Sequence, residues 1–236
     1  ILYHLTKIKY VRTLVVSFFY ICRLLWMIPH YDIVHVFSAS YKSFLISPTP
    51  AILIAKYLGK KVIINYRSGE CRDHLERQGW IAIPILKMVD RIVVPSGYLV
   101  DEFADFGLKA SYVYNLVDFT QFAYKPREKF APRIIVARNL EKLYNINASV
   151  KAFKIVKEKY PEAKLTIVGA GIDEQNIRDF VQSENIPDIS FTGRVEREDI
   201  AKLYAEHDIF LNSSDIDNMP VSFLEAYASG LAVVST

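Results

Sequence analysis

The sequence predicts an α/β protein with two domains, each built on a doubly wound parallel β-sheet. Short β-branched runs alternate with longer helical patterns along almost the whole chain. The strand-like runs are apolar without alternation, which is typical of parallel strands buried on both faces. A charged segment with two prolines divides the chain, and 236 residues are enough for two modest domains.

Composition excludes several classes of protein. Hydrophobic residues make up 51% and charged residues 23% of the chain, which indicates a folded protein rather than a disordered one. The net charge of +3 is too small to indicate nucleic-acid binding. Cys22 and Cys71 stand in unrelated contexts, so we expect neither a disulfide framework nor a zinc cluster, and we expect a reducing compartment.

The chain begins with an apolar segment, residues 14–28, that Arg23 interrupts. An uninterrupted run of about 18–20 residues would be needed to span a bilayer, so we predict a buried helix. The alternative is a helix that lies on a membrane surface, because Lys7, Lys9 and Arg12 lead into the apolar positions.

The first domain is predicted to cover residues 1–122. Thr49 and Pro50 predict a helix start as N-cap and first helical residue. His35 lies inside a strand, and we expect it to be packed in the core. The four predicted strands of this domain are Asp32–Phe37, Lys61–Tyr66, Arg91–Val94 and Ser111–Tyr114.

A linker is predicted at residues 123–131, because this segment is charged and lacks periodicity. The second domain then covers residues 132–236. Its helix at residues 147–159 is predicted to bury Val150, Phe153, Ile155 and Val156. The five predicted strands are Arg133–Ala137, Lys164–Val168, Ile189–Phe191, Asp208–Leu211 and Leu231–Ser235.

Both ends of the sequence predict a fragment with two incomplete domains. A doubly wound domain normally starts on a strand, whereas this chain starts on a helix-like segment and lacks that first strand. The last residue, Thr236, follows a strand directly, and no helix covers that strand, which predicts a truncated second domain.

The segment from residue 208 to residue 236 carries the chemistry. It predicts a strand, a polar loop, a helix begun by Pro220 and ended by Gly230, and a last strand. The N-terminus of such a helix attracts an anion such as a diphosphate. Asp217 precedes the helix and Glu225 lies on it, so both carboxylates can line one groove. Carboxylates accept pairs of hydroxyl hydrogens, and a sugar and a ribose are natural ligands.

The segment that begins at Asp217 resembles the E-x7-E region of GT-B glycosyltransferases of family 4. It consists of Asp217, seven further residues, Glu225 and then A-x-A-S-G-L-x-V-V-S-T. The resemblance implies two facing Rossmann-like domains. It also implies that Asp217 contacts the donor sugar and has a catalytic role, and that Glu225 holds the ribose. The loop residues that it implies near the donor are Asn218, Met219, Pro220 and Val221.

Three further segments resemble donor-binding parts of the family. Arg138 follows a strand and suits a bidentate phosphate contact, and the resemblance implies that it helps to clamp the diphosphate and act in catalysis. The family lysine of this clamp aligns with Tyr144, while Lys142 stands two residues earlier and is the candidate cation. The V-G-x-G and F-x-G segments add Gly169, Gly171, Gly193 and Arg194 as donor-side candidates.

In the first domain, the loop of Arg67, Ser68, Gly69 and Glu70 resembles the family segment that borders the sugar or the acceptor. Arg67 stands where the family often has histidine. These four residues are therefore the acceptor-side candidates.

The resemblance implies a retaining glycosyltransferase that moves a sugar from a nucleotide-diphosphate donor to an acceptor hydroxyl, in surface glycan or glycolipid synthesis. It implies a glycan or lipid-linked acceptor, no cofactor, no required metal and no nucleic acid. We expect a cytoplasmic protein, with peripheral contact at the inner face of the membrane as an option.

Other functions remain open at this point. The chain can also be a non-catalytic nucleotide-sugar binder, a GT-B epimerase or, with parts that this sequence lacks, a phosphorylase. Asp215-Ile-Asp217 is a D-x-D of the kind that binds metal in GT-A transferases. Two carboxylates alone do not define a magnesium site, and GT-A would need a single sheet.

Overall fold

A computed structural model describes residues 9–38 and 40–236, with side chains from residue 13 onward. Contacts divide the chain between Tyr114 and Asn115 into two compact units. The sequence placed this boundary at residues 123–131, and the structure moves it towards the N-terminus. Phe122, which is 3% exposed, already packs into the core of the second unit.

The first unit contains a four-stranded parallel sheet in the order β1-β2-β3-β4. Val62 and Ile64 are fully buried at the centre of this sheet, as expected for strands covered on both faces. Its strands are β1 Ile33–Ser38, β2 Lys61–Tyr66, β3 Arg91–Val94 and β4 Ala110–Tyr112. Its helices are α1 Lys9–Met27, α2 Tyr41–Ile46, α3 Pro48–Tyr57, α4 Cys71–Met88 and α5 Gly97–Asp105, with a 3₁₀ turn at Ile28–His30.

Three local expectations for this unit were wrong. Helix α1 is largely exposed rather than buried, and Trp26 near its end is 73% exposed. His35 is also exposed, because β1 is an edge strand whose outer face, with Ile33 and Phe37, is not covered. Helix α3 begins at Pro48, two residues before the predicted start.

Helix α1 also meets the length and composition criteria of a membrane span over Thr13–His30. Its mean hydropathy there is 1.4, and 6% of the stretch is buried. Arg23 therefore does not shorten the apolar stretch as much as the sequence suggested. Core helices and signal sequences meet the same criteria, so this stretch by itself does not show contact with a membrane.

The second unit contains a five-stranded parallel sheet in the order β7-β6-β5-β8-β9. The first strand of the unit is therefore central, and the chain winds outward from it in both directions. The strands are β5 Arg133–Ala137, β6 Lys164–Val168, β7 Ile189–Gly193, β8 Ile209–Asn212 and β9 Ala232–Ser235. The helices are α6 Ile146–Lys159, α7 Glu174–Ser183, α8 Arg197–Glu206 and α9 Val221–Ala228, with 3₁₀ turns at Phe119–Gln121 and Lys142–Tyr144.

The nine predicted strands are all present, and both sheets are parallel as predicted. Helix α6 buries Val150 and Phe153 completely and Val156 in part, whereas Ile155 is 69% exposed and was assigned to the core wrongly. In a helix, residues 150 and 153 share a face, but residue 155 lies well round from it. Gly230, with φ +78°, follows α9 in the left-handed conformation that the sequence predicted for a helix end.

The segment predicted as a linker is anchored in the second unit by Arg127. This side chain is 2% exposed and forms an ion pair with the equally buried Asp208 at 3.1 Å. Its guanidinium also donates to the carbonyl oxygens of Tyr204, His207 and Ser229. A buried guanidinium needs partners for its five N–H groups, and the network supplies them. The composition of the segment suggested a linker because this pairing is invisible in sequence.

Candidate functional site

A crevice of about 420 Å³ opens in the second unit where the strands of its sheet end. The carboxyl ends of β5, β6 and β7 meet there with the start of α9, which follows β8. In open α/β sheets, ligands bind outside these strand ends at the point where the strand order reverses. The crevice is lined by Ala137, Arg138, Asn139, Tyr144, Val168, Gly169, Ala170, Arg194, Val195, Arg197, Ile200, Tyr204, Val221, Ser222 and Glu225.

Close backbone contacts hold the floor of this crevice together. The N–H of Arg138 donates to the carbonyl of Val168 at 3.0 Å, and the N–H of Gly169 donates to the carbonyl of Gly193 at 2.9 Å. Gly169 has φ +131°, and a Cβ there would lie 1.9 Å from the carbonyl oxygen of Arg138. A Cβ on Gly171 would lie 2.0 Å from the carbonyl oxygen of Leu140. Both glycines are therefore required for the strand ends to approach one another.

Arg138 is held from three sides. Its Nε donates to Oδ1 of Asn212 at 3.1 Å, its Nη2 forms an ion pair with Asp217, and its Cζ lies 5.1 Å from the centroid of the Tyr144 ring. The side chain is 12% exposed. This burial lowers the pKa of Arg138, but a guanidinium stays charged in a protein and remains able to bind an anion.

Glu225 lies on α9 and is partly buried in the crevice. Its Oε2 accepts a hydrogen bond of 3.3 Å from the hydroxyl of Tyr204, which is fully buried. Burial raises the pKa of Glu225, while the hydrogen bond from Tyr204 and the charge of Arg197 act in the opposite direction. The carboxylate is thus a partly desolvated hydrogen-bond acceptor beside a set of arginines.

The structure brings many of the predicted donor-side residues together but separates some from the crevice. Asp217 pairs with Arg138 at the edge, and the N–H of Asn218 donates to Oδ1 of Asp217 at 2.6 Å. The predicted residues that line the crevice are Arg138, Gly169, Arg194, Val221 and Glu225. Those that support it without lining it are Asp217, Asn218, Met219, Pro220, Gly171 and Gly193.

Lys142 is exposed and does not line the crevice, and its contact with a donor stays a prediction. The lining position is taken by Tyr144, two residues later in the same 3₁₀ turn. Pro220 is the N-cap of α9 rather than its first helical residue.

Among the polar and aromatic residues of the lining, sequence reasoning did not select Asn139, Tyr144, Arg197, Tyr204 and Ser222 as candidates. Ser222 stands in the first turn of α9, and its hydroxyl oxygen is buried without a hydrogen-bond partner among the described residues. Its place just after Pro220, at a helix start, was the available signal. Tyr204 and Arg197 lie on α8, and only the packing of α8 beside α9 brings them to Glu225.

The two carboxylates of the D-x-D have different partners. Oδ1 of Asp215 accepts from Nδ2 of Asn145 at 2.8 Å, whereas Asp217 pairs with Arg138. In the part of the chain that the structure describes, no three histidine, cysteine or acidic side chains cluster as metal ligands would. That the reaction needs no metal or cofactor stays a prediction.

The acceptor-side candidates lie in the first unit, between the end of β2 and the start of α4. Arg67 is exposed, while Ser68, Gly69 and Glu70 are partly buried. The hydroxyl of Ser68 accepts from the N–H of Glu70 at 3.3 Å, which shapes the turn. Their contact with an acceptor stays a prediction.

The model of the family described as glycosyl transferases group 1 matches residues 119–236, half of the chain. Sulfoquinovosyl transferase SQD2 of Arabidopsis thaliana is 24% identical over 226 residues, which cover 86% of this chain and 42% of that protein. The putative colanic acid biosynthesis glycosyltransferase WcaL of Escherichia coli is 30% identical over 132 residues, 51% of this chain and 32% of that one. The chain spans 24 to 42% of the length of the first relatives it matches.

Solved structures show the same fold at low identity. HepE of Anabaena, in complex with UDP and glucose, superposes with a TM-score of 0.74 at 13% identity, over 91% of this chain and 61% of that one. Sucrose-phosphate synthase of Thermosynechococcus elongatus gives 0.70 at 15% identity, over 87% and 56%. The GT-B fold class is therefore confirmed, and the GT-A alternative is wrong. The chain belongs to the group 1 glycosyl transferases.

Proposed function

We propose that this chain binds the donor in a retaining glycosyltransferase, which moves a sugar from a nucleotide diphosphate to an acceptor hydroxyl in surface glycan or glycolipid synthesis. The observation that carries the proposal is the convergence of Arg138, Glu225 and the start of α9 on one crevice at the strand ends. Arg138 and the start of α9 suit the diphosphate of a nucleotide sugar, and Glu225 suits its ribose.

The diphosphate is assigned to the positively charged part of the crevice. Arg138, Arg194 and Arg197 line it, together with the first two residues of α9, Val221 and Ser222. Arginine binds phosphate oxygens in pairs, and the free N–H groups of a helix start add to the attraction. Because Glu225 is the one acidic residue in the lining, the crevice carries an excess of positive charge.

The ribose is assigned to Glu225. One of its oxygens already accepts from Tyr204, which orients the carboxylate, and two ribose hydroxyls can donate to its remaining lone pairs. Hydrogen bonds to a charged acceptor in a partly buried site are stronger than those between neutral groups.

The proposed chemistry depends on charge that grows on the leaving diphosphate. As the bond from the anomeric carbon to the phosphate oxygen breaks, Arg138 stabilises the negative charge on that oxygen. The acceptor hydroxyl attacks from the same face, and its proton passes to the departing phosphate oxygen, so that the configuration is retained. Asp217, released from Arg138 by the diphosphate, would then accept from a hydroxyl of the donor sugar.

The partners are proposed from what the relatives are named for. These names include a sulfoquinovosyl transferase, a colanic acid glycosyltransferase and an alpha-monoglucosyldiacylglycerol synthase from Acholeplasma laidlawii. They support a glycan or lipid-linked acceptor, for which the loop of Arg67, Ser68, Gly69 and Glu70 in the first unit is the candidate contact. UDP is the first nucleotide to test, since HepE was solved with UDP and glucose. We further propose a cytoplasmic reaction that uses no cofactor and no metal.

The test is calorimetric titration of the 236-residue chain with UDP and GDP, comparing wild type with Glu225→Gln. The loss of charge-assisted bonds should weaken binding by about tenfold to a hundredfold. Because burial raises the pKa of Glu225, wild-type affinity should fall as the carboxylate is protonated on acidification, and Glu225→Gln should lack that fall.

The matched control is Glu184→Gln, a surface glutamate outside the crevice, which should bind as wild type does. Equal affinity of wild type and Glu225→Gln would contradict the ribose role. Incubation of a nucleotide sugar with and without acceptor separates the alternatives. A transferase forms product only with acceptor, an epimerase converts the donor alone, and a non-catalytic binder does neither.

A further inference from the structure

Tyr144 occupies a position in the crevice from which it can act on Arg138. It ends the 3₁₀ turn Lys142–Tyr144 that follows β5, and its ring lines the crevice. Cζ of Arg138 lies 5.1 Å from the ring centroid, within the range in which an aromatic face attracts a guanidinium. Lys142, the cation nearest in sequence, is exposed and outside the lining.

The three partners of Arg138 differ in what a diphosphate would do to them. Asn212 is 3% exposed, and its Oδ1 also accepts a hydrogen bond from the hydroxyl of Ser214 at 2.8 Å. Burial and this second bond hold the Asn212 side chain in place. Asp217 is an anion at 23% exposure and competes with phosphate for the same guanidinium. The Tyr144 ring attracts the guanidinium without occupying its Nη donors, so it stays in contact when phosphate binds them.

The turn that carries Tyr144 is fastened to the loop after β8. The N–H of Asp215 donates to the carbonyl of Leu143 at 3.1 Å, and Nδ2 of Asn145 donates to Oδ1 of Asp215 at 2.8 Å. The hydroxyl of Ser213 donates to the carbonyl of Asn145 at 2.7 Å. Asn145 itself has φ +45°, a left-handed conformation that these bonds maintain. These hydrogen bonds therefore fix the chain on both sides of Tyr144.

We infer that Tyr144 is a positioning residue for donor binding: its ring holds the Arg138 guanidinium in place when the diphosphate displaces Asp217. The inference rests on the proposed function. The contact explains how Arg138 keeps its orientation in a crevice that Lys142 does not line. The ring acts on the phosphate half of the donor and not on the nucleoside.

The experiment compares Tyr144→Leu, which removes the ring, with Tyr144→Phe, which keeps the ring and removes the hydroxyl. UDP binding to the 236-residue chain is measured by calorimetry, and binding of uridine, which carries no phosphate, by NMR shift titration. Tyr144→Leu should bind UDP about three- to thirtyfold more weakly. Tyr144→Phe should stay within about twofold of wild type, and uridine affinity should not change in either variant. Tyr227→Leu, an exposed tyrosine on α9 outside the crevice, is the matched control.

Each outcome separates the inference from the proposed function. If wild type binds neither UDP nor GDP, the proposed function is contradicted. If wild type binds UDP and Tyr144→Leu binds it equally well, only the role of Tyr144 is contradicted. A loss of uridine affinity as large as the loss for UDP would indicate general damage to the site, and equal losses in Tyr144→Phe and Tyr144→Leu would exclude the ring as the acting group.

Discussion

The two sheets are built from the same kind of strand, yet among the described residues the crevice proposed to bind the donor lies at the second sheet. In the first sheet the described strands follow one another in chain order, β1-β2-β3-β4. In the second, the order β7-β6-β5-β8-β9 reverses at β5 and β8. The connections after these two strands leave the sheet in different directions, which opens a crevice between them. Among the described residues, the crevice thus lies beside the reversal of strand order in the second sheet.

The strand ends differ in their chemistry as well. In the first unit, buried polar side chains near the strand ends bond to one another, although Nε2 of His74 has no partner among the described residues. The Tyr66 hydroxyl lies 2.8 Å from both Oγ of Ser40 and Nδ1 of His74, and both rings are fully buried. In the second unit Arg138, Glu225 and Ser222 line open space. The first arrangement stabilises a fold, and the second leaves charged and polar groups available to a ligand.

The largest effect is expected from a substitution that disrupts the strand ends of the second unit. Gly169→Val should lower the free energy of unfolding of the second unit by roughly 3 kcal/mol or more, since φ +131° and the carbonyl of Arg138 exclude a Cβ. UDP binding should be lost with it. Urea denaturation and hydrogen exchange resolved by peptide measure both units separately.

The matched control is Gly97→Ala in the first unit. A Cβ there meets nothing within 4 Å, so the change should alter stability by about 0.5 kcal/mol or less. If Gly169→Val were as stable as wild type and its crevice peptides were equally protected from hydrogen exchange, the prediction would be contradicted. The close approach of the strand ends would then not be required.

A smaller effect is expected from the ion pairs that anchor each unit. Arg127→Ala leaves Asp208 buried with Arg133 as its remaining ionic partner, so the second unit should lose less than the roughly 3 to 5 kcal/mol that an unpaired buried charge costs. Arg72→Ala removes the corresponding pair with Glu102 in the first unit. The Arg72 side chain is 48% exposed, so its loss should cost much less. Equal shifts in the urea midpoints of the two variants would contradict this difference.

The smallest effect is the pH dependence of two buried histidines, His74 and His207. Burial lowers the pKa of each, so each stays neutral in the fold. As the pH falls below about 6.5, these histidines bind protons in the unfolded chain but stay neutral in the folded chain. The free energy of unfolding therefore decreases. His74→Gln and His207→Gln should each flatten this decrease in their own unit, measured as urea midpoints between pH 8 and pH 5. Slopes as steep as that of wild type in both variants would contradict the assignment to these two histidines.

Much of the fold was predictable from sequence because strands buried on both faces have a distinct composition. All nine strands were found, and Gly230 was recognised as a helix end. Burial was harder to predict. Helix α1 and His35 are exposed because nothing in the described structure covers them, and apolar composition does not reveal what packs against a segment.

The candidate site was predictable where its residues are close in sequence. Asp217 and Glu225 belong to one segment, and Arg138 follows a strand, so local pattern located them. Tyr144 was missed as a lining residue in favour of Lys142, because a lysine is the more familiar phosphate ligand. Which of the two faces the crevice depends on the hydrogen bonds that tie the 3₁₀ turn to Asp215, 70 residues away from Asn145.

The sequence by itself determined the strands, the parallel sheets, the glycine turns and the acid-to-glutamate spacing of α9, because each of these depends on neighbours in the chain. Only the tertiary structure decided that Arg127 anchors the second unit, that Tyr204 orients Glu225, and that Asp217 pairs with Arg138. Those contacts join residues that lie 21 to 81 positions apart. Distances across a fold are set by strand order and packing, and neither leaves a local mark in the sequence.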